Sequence, residues 1–228
     1  MGTSQTSSTV KLVVFDCDGT LVDGQAPVCD AMETAFAAAN LAPPPRHAIR
    51  QIVGLSLPQA IRYLEPEAGE DIVAQMVSAY KDAFRSARER GEVAEPLFQG
   101  MADLIAALRS EGWALAVATG KSQRGLMHCL ETHGLTGSFS SLQGADGHPS
   151  KPDPAMLNTA MAETLAIPAN TVMIGDTLYD MEMARAAGVR GIGVSWGYHD
   201  NATLLEAGAH AIADTSEELR QLISGQAG

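Results

Sequence analysis

The sequence has little of what marks membrane-spanning, disulfide-bonded or nucleic-acid-binding proteins. No apolar run reaches the roughly 18 residues expected of a transmembrane helix, so we expect no membrane partner. The three cysteines, Cys17, Cys29 and Cys129, are odd in number and far apart, which favours a reducing compartment, taken as the cytoplasm, over a disulfide framework. The 15 lysines and arginines are outnumbered by 27 acidic residues, and the net charge of −12 argues against nucleic acid as a partner.

The remaining composition is that of a globular protein: 46% of the 228 residues are apolar and 18% are charged. This length suffices for one substantial core, with or without a small insertion. Residues 1–9 are polar and rich in serine and threonine, without the apolar centre of a signal peptide, and we predict a flexible tail there.

The stretch at residues 10–23 organises the chain. Val10–Phe15 is an apolar, β-branched run that predicts a strand buried on both faces, as in the middle of a parallel sheet. Asp16 then stands at the C-terminal end of that strand, where open α/β sheets bind their ligands. Asp18 follows two residues later, and carboxylates this close repel each other unless a cation or a shared proton intervenes. Gly19 permits a tight turn, although an Asx turn that caps the next segment is the other interpretation.

The order of predicted elements defines the fold class. After residue 23 the strand pattern stops, and apolar residues recur at helical spacing. We predict an all-helical insertion at residues 24–93, serving either as extra helices on the sheet or as a lid. From Pro96 strands and helices alternate, which predicts an α/β fold with a doubly wound parallel sheet, built from residues 10–23 and 94–228. The further strands are predicted at residues 113–118, 139–144, 171–174, 191–195 and 209–213.

Polar side chains stand where these predicted strands end or the next helix begins, namely Asp16, Asp18, Thr119, Lys151, Asp176 and Asp180. If the strands are neighbours, these side chains converge on one edge of the sheet. Three or four carboxylates around one point require a hard cation, for which Mg²⁺ is the most economical choice. A phosphoryl group would complete such a site, held by the cation, Lys151, the Thr119 hydroxyl and the N–H groups of the turn at Asp18 and Gly19.

Each of these residues also has a purely structural interpretation. Lys151 lies among prolines and could be a solvated turn residue. Thr119 could cap the following helix, and Asp176 and Asp180 could be acids favoured by a helix dipole. Their joint order along the chain, with each residue closing a strand or opening a helix, favours a functional site.

Together these motifs resemble those of the haloacid dehalogenase-like (HAD) hydrolases. The four family motifs are matched by Asp16-Cys17-Asp18-Gly19-Thr20, Thr119-Gly120, Lys151 and Gly175-Asp176-Thr177-Leu178-Tyr179-Asp180. The resemblance extends from about residue 10 to residue 214 and implies a Rossmann-like core. The helical insertion directly after the first motif is similar to the small helical cap of phosphoglycolate phosphatases and their relatives.

The resemblance implies a Mg²⁺-dependent phosphatase that acts on a small phosphorylated metabolite. Asp16 is implied to be the nucleophile that forms an aspartyl-phosphate. Asp18 is implied to protonate the leaving alcohol and then to take a proton from the attacking water. Mg²⁺ is implied to be bound by Asp16, the Asp18 backbone carbonyl and Asp176, with Asp180 in support.

The remaining motif residues are implied to bind the phosphoryl group. Thr119 and Lys151 would hold its oxygens while charge develops on them. Gly19 and Gly120 would lie in the phosphate-binding loops.

The substrate is predicted less directly, because the insertion would contact the leaving group. Phosphoglycolate is favoured by the resemblance alone, and sugar phosphates, nucleoside monophosphates and pyrophosphate stay open. Arg50 and Arg62 flank a helix break at Gly54, and either arginine could bind a substrate carboxylate through two hydrogen bonds. Each could equally be a solvated arginine on a helix face. The oligomeric state stays open as well.

Other reactions and roles are less favoured. Dehalogenases of the family lack the second aspartate of the first motif, so Asp18 argues against that reaction. A β-phosphoglucomutase would carry a lysine and an arginine where this chain has Val53 and Leu57. A non-catalytic, phospho-accepting signalling domain would need neither Asp18 nor the large insertion.

Overall fold

A computed structural model describes residues 10–225; the predicted tail at residues 1–9 and residues 226–228 lie outside it. Its centre is a six-stranded sheet in which every pairing is parallel, with the order β3-β2-β1-β4-β5-β6. The strands are β1 Val10–Phe15, β2 Ala114–Ala118, β3 Ser141–Gln143, β4 Ala166–Gly175, β5 Arg190–Val194 and β6 Ala211–Ala213. The predicted doubly wound parallel sheet is therefore confirmed.

The central strand β1 has neighbours on both sides, and its register aligns three strand ends. Phe15 pairs with Val117 of β2 and with Ile174 of β4. Consequently Asp16 follows β1 at the level where β2 and β4 also end. Residues that follow these three strands emerge at one edge of the sheet.

Both faces of the sheet are covered, as its apolar strands require. Val13 and Phe15 of β1 point into one apolar cluster, while Leu12 and Val14 point into another, and all four are fully buried. This explains why the strand is apolar at four successive positions, Leu12 to Phe15, instead of alternating with polar residues; the exposed Lys11 precedes them. The helices of this core are α5 Met101–Ser110, α6 Gln123–Thr132, α7 Ala155–Thr164, α8 Leu178–Ala186, α9 Asn201–Glu206 and α10 Ser216–Ile223.

Four helices lie between β1 and α5, and they surround an apolar cluster of their own. They are α1 Gln25–Ala38, α2 Arg46–Gln51, α3 Leu57–Leu64 and α4 Glu70–Glu89. Met32, Phe36, Ile61 and Met76 are almost completely buried in that cluster. We call residues 24–93 the helical insertion, and the segment Gly54 to Ser56 between α2 and α3 the insertion loop. Even the 20-residue α4 lacks the apolar length of a membrane-crossing helix, and so do the other helices within residues 10–225.

The two connections between the insertion and the sheet are bonded to each other. Asp23 N–H donates to the Pro96 carbonyl at 2.9 Å, and Phe98 N–H donates to the Leu21 carbonyl at 3.0 Å. Between these bonds the chain segments form an antiparallel bridge at Val22. We call this pair of segments, residues 21–23 and 96–98, the linker ribbon.

The strand boundaries differ most from prediction at β4, which begins at Ala166 instead of Thr171. Ala166 pairs with Val10, but the register against β1 shifts before Thr171 is reached. Residues 167–169 are exposed. The apolar run that predicts the strand therefore covers only its buried second half.

Candidate active site

The ends of β1, β2 and β4 bring the first residues of the site together. Asp16 N–H donates to the Ile174 carbonyl at 2.9 Å, which fixes the backbone after β1 to β4. Thr119 N–H donates to the Gln143 carbonyl at 3.0 Å, so the residue after β2 is held by the neighbouring β3. Asp16, Thr119 and Asp176 are each 1% exposed or less.

Lys151 reaches the same point from the loop before α7. Its Nζ donates to Asp16 Oδ1 at 2.7 Å and to Asp180 Oδ1 at 2.6 Å, and the residue is 1% exposed. Although burial opposes the charged form, Asp16 and Asp180 together raise the pKa of Lys151 above its usual range. The structure therefore places a charged lysine between two aspartates and not in solvent.

Asp180 has a structural partner as well as Lys151. Thr177 is the N-cap of α8, and both its N–H and its hydroxyl donate to Asp180 Oδ2, at 3.1 and 2.7 Å. This is a capping box, in which cap and first-turn acid satisfy each other. Capping therefore occupies Oδ2 of Asp180, whereas Oδ1 faces Lys151, so the capping contact is compatible with the predicted role of Asp180 in the site.

Asp176 is fixed on both oxygens. Thr20 Oγ1 donates to Oδ1 at 2.7 Å, and Tyr198 N–H donates to Oδ2 at 2.9 Å. A side chain at Gly19 would collide with Asp176 Oδ2 and with the Tyr198 ring, and Gly19 has a φ of +88° that other residues rarely adopt. Glycine is therefore required at position 19 for two separate reasons.

The predicted role of Gly19 as a phosphate donor is not supported by this geometry. Its N–H donates to the Val22 carbonyl at 2.9 Å within the turn, so that donor is already used. Gly120, by contrast, lines the cavity described below.

The cluster of aspartates suits a cation. Asp16, Asp176 and Asp180 each offer a carboxylate oxygen, and these oxygens all lie within 4.8 Å of one another. Asp16 Oδ2 is buried without a hydrogen-bond partner. Burial raises the pKa of Asp16 to about 7, although Lys151 lowers it, and burial together with Asp16 and Asp180 raises the pKa of Asp176 well above its usual range. Three acids facing one lysine leave a surplus of negative charge that a hard divalent cation would balance.

Asp18 faces a different lysine. Its Oδ1 lies 3.0 Å from Lys121 Nζ, an ion pair that lacks the alignment of a hydrogen bond. The same Nζ donates to Glu95 Oε1 at 2.7 Å. Burial raises the pKa of Asp18, and Lys121 partly offsets this. Sequence analysis assigned no role to Lys121 or Glu95, and no spacing signal links positions 18, 95 and 121.

The insertion loop is seated on this edge of the sheet. Ser56 N–H donates to Ser150 Oγ at 2.8 Å, next to Lys151. A Cβ placed on Gly120 would lie only 2.5 Å from the Leu55 carbonyl oxygen, so the insertion loop packs directly against the glycine after Thr119.

A cavity of about 690 Å³ opens between the insertion and the sheet edge. Its floor includes Asp16, Asp18, Thr119 and Gly120. Apolar residues of the insertion line the facing side: Val28, Met32, Ile52, Val53, Leu55, Tyr80 and Phe84. Asp16, Asp18 and Thr119 thus border one cavity, whereas Lys151, Asp176 and Asp180 lie behind its lining.

The insertion residues predicted to determine specificity are only partly brought to this cavity. Gly54 lines it, but Arg50 and Arg62 do not. Arg62 instead donates to both carboxylate oxygens of Glu70, at 3.0 and 2.7 Å, because the last turn of α3 lies beside the start of α4. The predicted binding of a substrate carboxylate by these arginines therefore finds no support in their placement.

Comparisons with known proteins agree with the fold and the motifs. The family model described as haloacid dehalogenase-like hydrolase matches residues 13–194. A Dickeya dadantii protein named "Probable phosphatase IndB" is 37% identical over 211 residues, which cover 91% of each chain. A Vibrio vulnificus phosphoglycolate phosphatase is 26% identical over 96% of this chain and 98% of its own. A crystal structure described as "a predicted phosphatase from Clostridium acetobutylicum" superposes with a TM-score of 0.85, at 25% identity over 96% of this chain and all of that one.

Proposed function

This chain belongs to the haloacid dehalogenase-like hydrolases and is a phosphatase, and on that basis we propose that it hydrolyses a small phosphomonoester through an aspartyl-phosphate on Asp16. The observation that carries the proposal is how the two oxygens of the Asp16 carboxylate are placed. One oxygen is held by Lys151, while the other is buried, unpartnered and part of a residue that lines the cavity. A carboxylate so oriented by one bond is available for attack with its remaining lone pairs.

The first half of the reaction uses Asp16 and Asp18. The Asp16 carboxylate attacks phosphorus, the bond from phosphorus to the leaving alcohol breaks, and Asp18 gives the alcohol its proton. The raised pKa of Asp18 supports this role, because it favours a carboxyl that holds a proton to donate. In the second half Asp18 takes a proton from water, which attacks the phosphoryl group and restores Asp16 with release of inorganic phosphate.

The phosphoryl oxygens would be held by Thr119, Lys151 and the backbone at Gly120. The Thr119 hydroxyl oxygen accepts a hydrogen bond from Lys121 N–H at 3.2 Å, so its own proton can point away, toward a substrate. Lys151 already contacts Asp16, and its charge stabilises negative charge that develops on the transferring group.

The aspartate cluster fits Mg²⁺. We propose that Asp16, Asp176 and the Asp18 backbone carbonyl hold it, with Asp180 in support, since the carboxylates form a compact, negatively charged group with an unpartnered oxygen. When bound, Mg²⁺ would neutralise the surplus charge and polarise the phosphoryl oxygens.

Phosphoglycolate serves as the reference substrate, because the Vibrio vulnificus relative is named for it. Phosphates of sugars and nucleosides, and pyrophosphate, are the alternatives for the same chemistry. A phospho-accepting signalling role would instead need a long-lived adduct on Asp16.

Hydrolysis of a generic aryl phosphate in Mg²⁺ and in EDTA tests the proposal. We expect Mg²⁺-dependent phosphate release by the wild type and none by Asp16→Asn. Asp153→Asn is the matched control, since Asp153 is exposed and accepts a bond from Ala155 N–H that asparagine can also accept. Failure of the wild type on this ester and on every other phosphomonoester tried would refute the proposal, and a stable phospho-adduct on Asp16 would favour signalling.

A further inference from the structure

The cavity is much larger than a two-carbon leaving group needs. Its volume of about 690 Å³ lies within the range of roughly 300–1,000 Å³ that encloses drug-sized ligands. The insertion loop borders this cavity and touches the core at Ser150 and Gly120. A second contact holds α2 to the core, since His199 Nε2 lies 3.0 Å from the Gln51 carbonyl.

The side that faces the aspartates is apolar. Val28, Met32 and Val53 line it, and on α4 the rings of Tyr80 and Phe84 stack with centroids 5.9 Å apart. A carboxylate such as that of glycolate gains nothing from such a surface, because burial without a charged or hydrogen-bonding partner costs free energy. An apolar ring gains both burial and ring contacts there.

Several cations line the cavity, and most of them are paired or lie at its exposed rim. Lys121 binds Asp18 and Glu95, and Arg85 pairs with Asp82. Lys81 and Arg124 line the cavity but are solvent-exposed. Arg88 is the exception, because it is partly buried, with its Nη2 4.0 Å from Glu95 and its Nε without a hydrogen-bond partner. Its guanidinium lies 5.3 Å from the centre of the Phe84 ring, so the inner space offers a leaving group apolar contacts together with this one cation.

Phe84 connects this apolar side to the reacting groups. Lys121 Nζ lies 5.5 Å from the centre of the Phe84 ring, and the same Nζ lies 3.0 Å from Asp18 Oδ1. If Asp18 protonates the leaving alcohol, the part of the substrate just beyond the alcohol oxygen meets Phe84.

Building on the phosphatase function proposed above, we propose that the substrate is a phosphomonoester of a ring-bearing alcohol about the size of a nucleoside, with Phe84 and Tyr80 against the ring. Such an alcohol fills the space that glycolate leaves empty. Polar groups on its far side would reach Lys81 and Arg124 at the rim.

Two matched pairs of substrates test the proposal. Benzyl phosphate and ethyl phosphate both release a primary alcohol, and adenosine 5′-monophosphate and ribose 5-phosphate share their sugar. The members of the first pair thus differ in a phenyl ring, and those of the second pair in the adenine base, more than in intrinsic reactivity. We expect kcat/KM to be about tenfold or more higher for benzyl than for ethyl phosphate, and likewise higher for the nucleotide, because a buried ring contributes this much binding.

Variants of Phe84 test whether this residue causes the higher kcat/KM for benzyl phosphate. Phe84→Leu keeps an apolar side chain without a flat ring, and Phe84→Ala removes most of the side-chain volume. Both variants should lower the ratio of kcat/KM for benzyl phosphate to that for ethyl phosphate, and the alanine variant should lower it more. Tyr63→Ala is the matched control, since Tyr63 is an aromatic residue of the insertion that is 66% exposed and does not line the cavity. Its ratio should equal that of the wild type. Circular dichroism checks that each variant is folded.

The outcomes separate the two proposals. Mg²⁺-dependent turnover in which ethyl phosphate or phosphoglycolate matches or exceeds benzyl phosphate overturns the ring-bearing substrate and leaves the phosphatase intact. A high ratio that Phe84→Leu and Phe84→Ala leave unchanged overturns the assignment of Phe84. No turnover of any ester by the wild type refutes the phosphatase itself.

Discussion

Gly120 offers a direct test of whether the insertion is seated on the sheet edge during turnover. A Cβ at this position would lie 2.5 and 2.6 Å from the carbonyl oxygens of Leu55 and Gly54, whereas ordinary contacts begin at 3.4 Å. The Gly120→Ala substitution therefore forces the insertion loop away by about 0.9 Å at the tighter contact. Backbone carbonyls cannot rotate aside as a flexible side chain can, so the loop itself must move. Gly120 does not have a positive φ, and alanine is not strained there for any other reason.

We expect this displacement to lower kcat/KM by about 100-fold, the usual cost of moving a catalytic arrangement by about 1 Å. The added methyl meets the insertion and not the apolar clusters of the sheet, so the fold should persist. Mg²⁺-dependent phosphate release from benzyl phosphate measures the effect, and far-ultraviolet circular dichroism with thermal unfolding confirms the fold. Gly137→Ala is the matched control, because nothing lies within 4 Å of a Cβ at that position. A Gly120→Ala variant within about twofold of wild-type kcat/KM would show that the insertion does not rest on Gly120 while the enzyme works.

Two further predictions concern the buried charges. Lys151→Met leaves the buried carboxylates of Asp16 and Asp180 without their cation, and we expect it to lower the free energy of unfolding by about 3–5 kcal/mol in EDTA at pH 7, measured by urea denaturation. The exposed Lys81→Met control should change it by less than about 0.5 kcal/mol, and a loss below about 1 kcal/mol for Lys151→Met would contradict the buried ion pairs. Mg²⁺ added to metal-free protein should raise Tm, by the equivalent of about 2.7 kcal/mol at 100 times its Kd, because folding assembles its ligands. An equal rise in a variant with Asp16→Asn and Asp176→Asn would place the ion elsewhere.

The sequence predicted the sheet well where local patterns sufficed. The bounds of β1 are those predicted, because the unbroken apolar, β-branched stretch Leu12 to Phe15 has few alternatives to a strand buried on both faces. Asp16, Thr119 and Asp176 were expected at strand ends, and the parallel register places those ends side by side. The helix break at Gly54 is also found, between α2 and α3.

The rest depends on contacts between residues that are far apart in the chain. Lys121, which follows β2, meets Asp18 and Glu95 because the segment that returns from the insertion pairs with the segment after β1, and no short-range spacing encodes that meeting. Arg62 looks like a free cation in the sequence, yet helix packing pairs it with Glu70. The turn at Gly19 was expected, but the use of its N–H by Val22 follows from the turn's full geometry.

The linker ribbon has a mechanical consequence. Two chain segments that are bonded to each other resist sliding past one another, whereas bending across the pair breaks none of their bonds. Once the contacts of the insertion with Ser150, Gly120 and His199 are released, the linker ribbon would allow the insertion to bend across the pair of segments more readily than to slide along it. Glu95 lies one residue before the linker ribbon on the returning segment, and it binds Lys121, which also faces Asp18. A movement of the insertion about this ribbon would therefore be transmitted through Glu95 and Lys121 to Asp18, the residue for which we propose proton transfer.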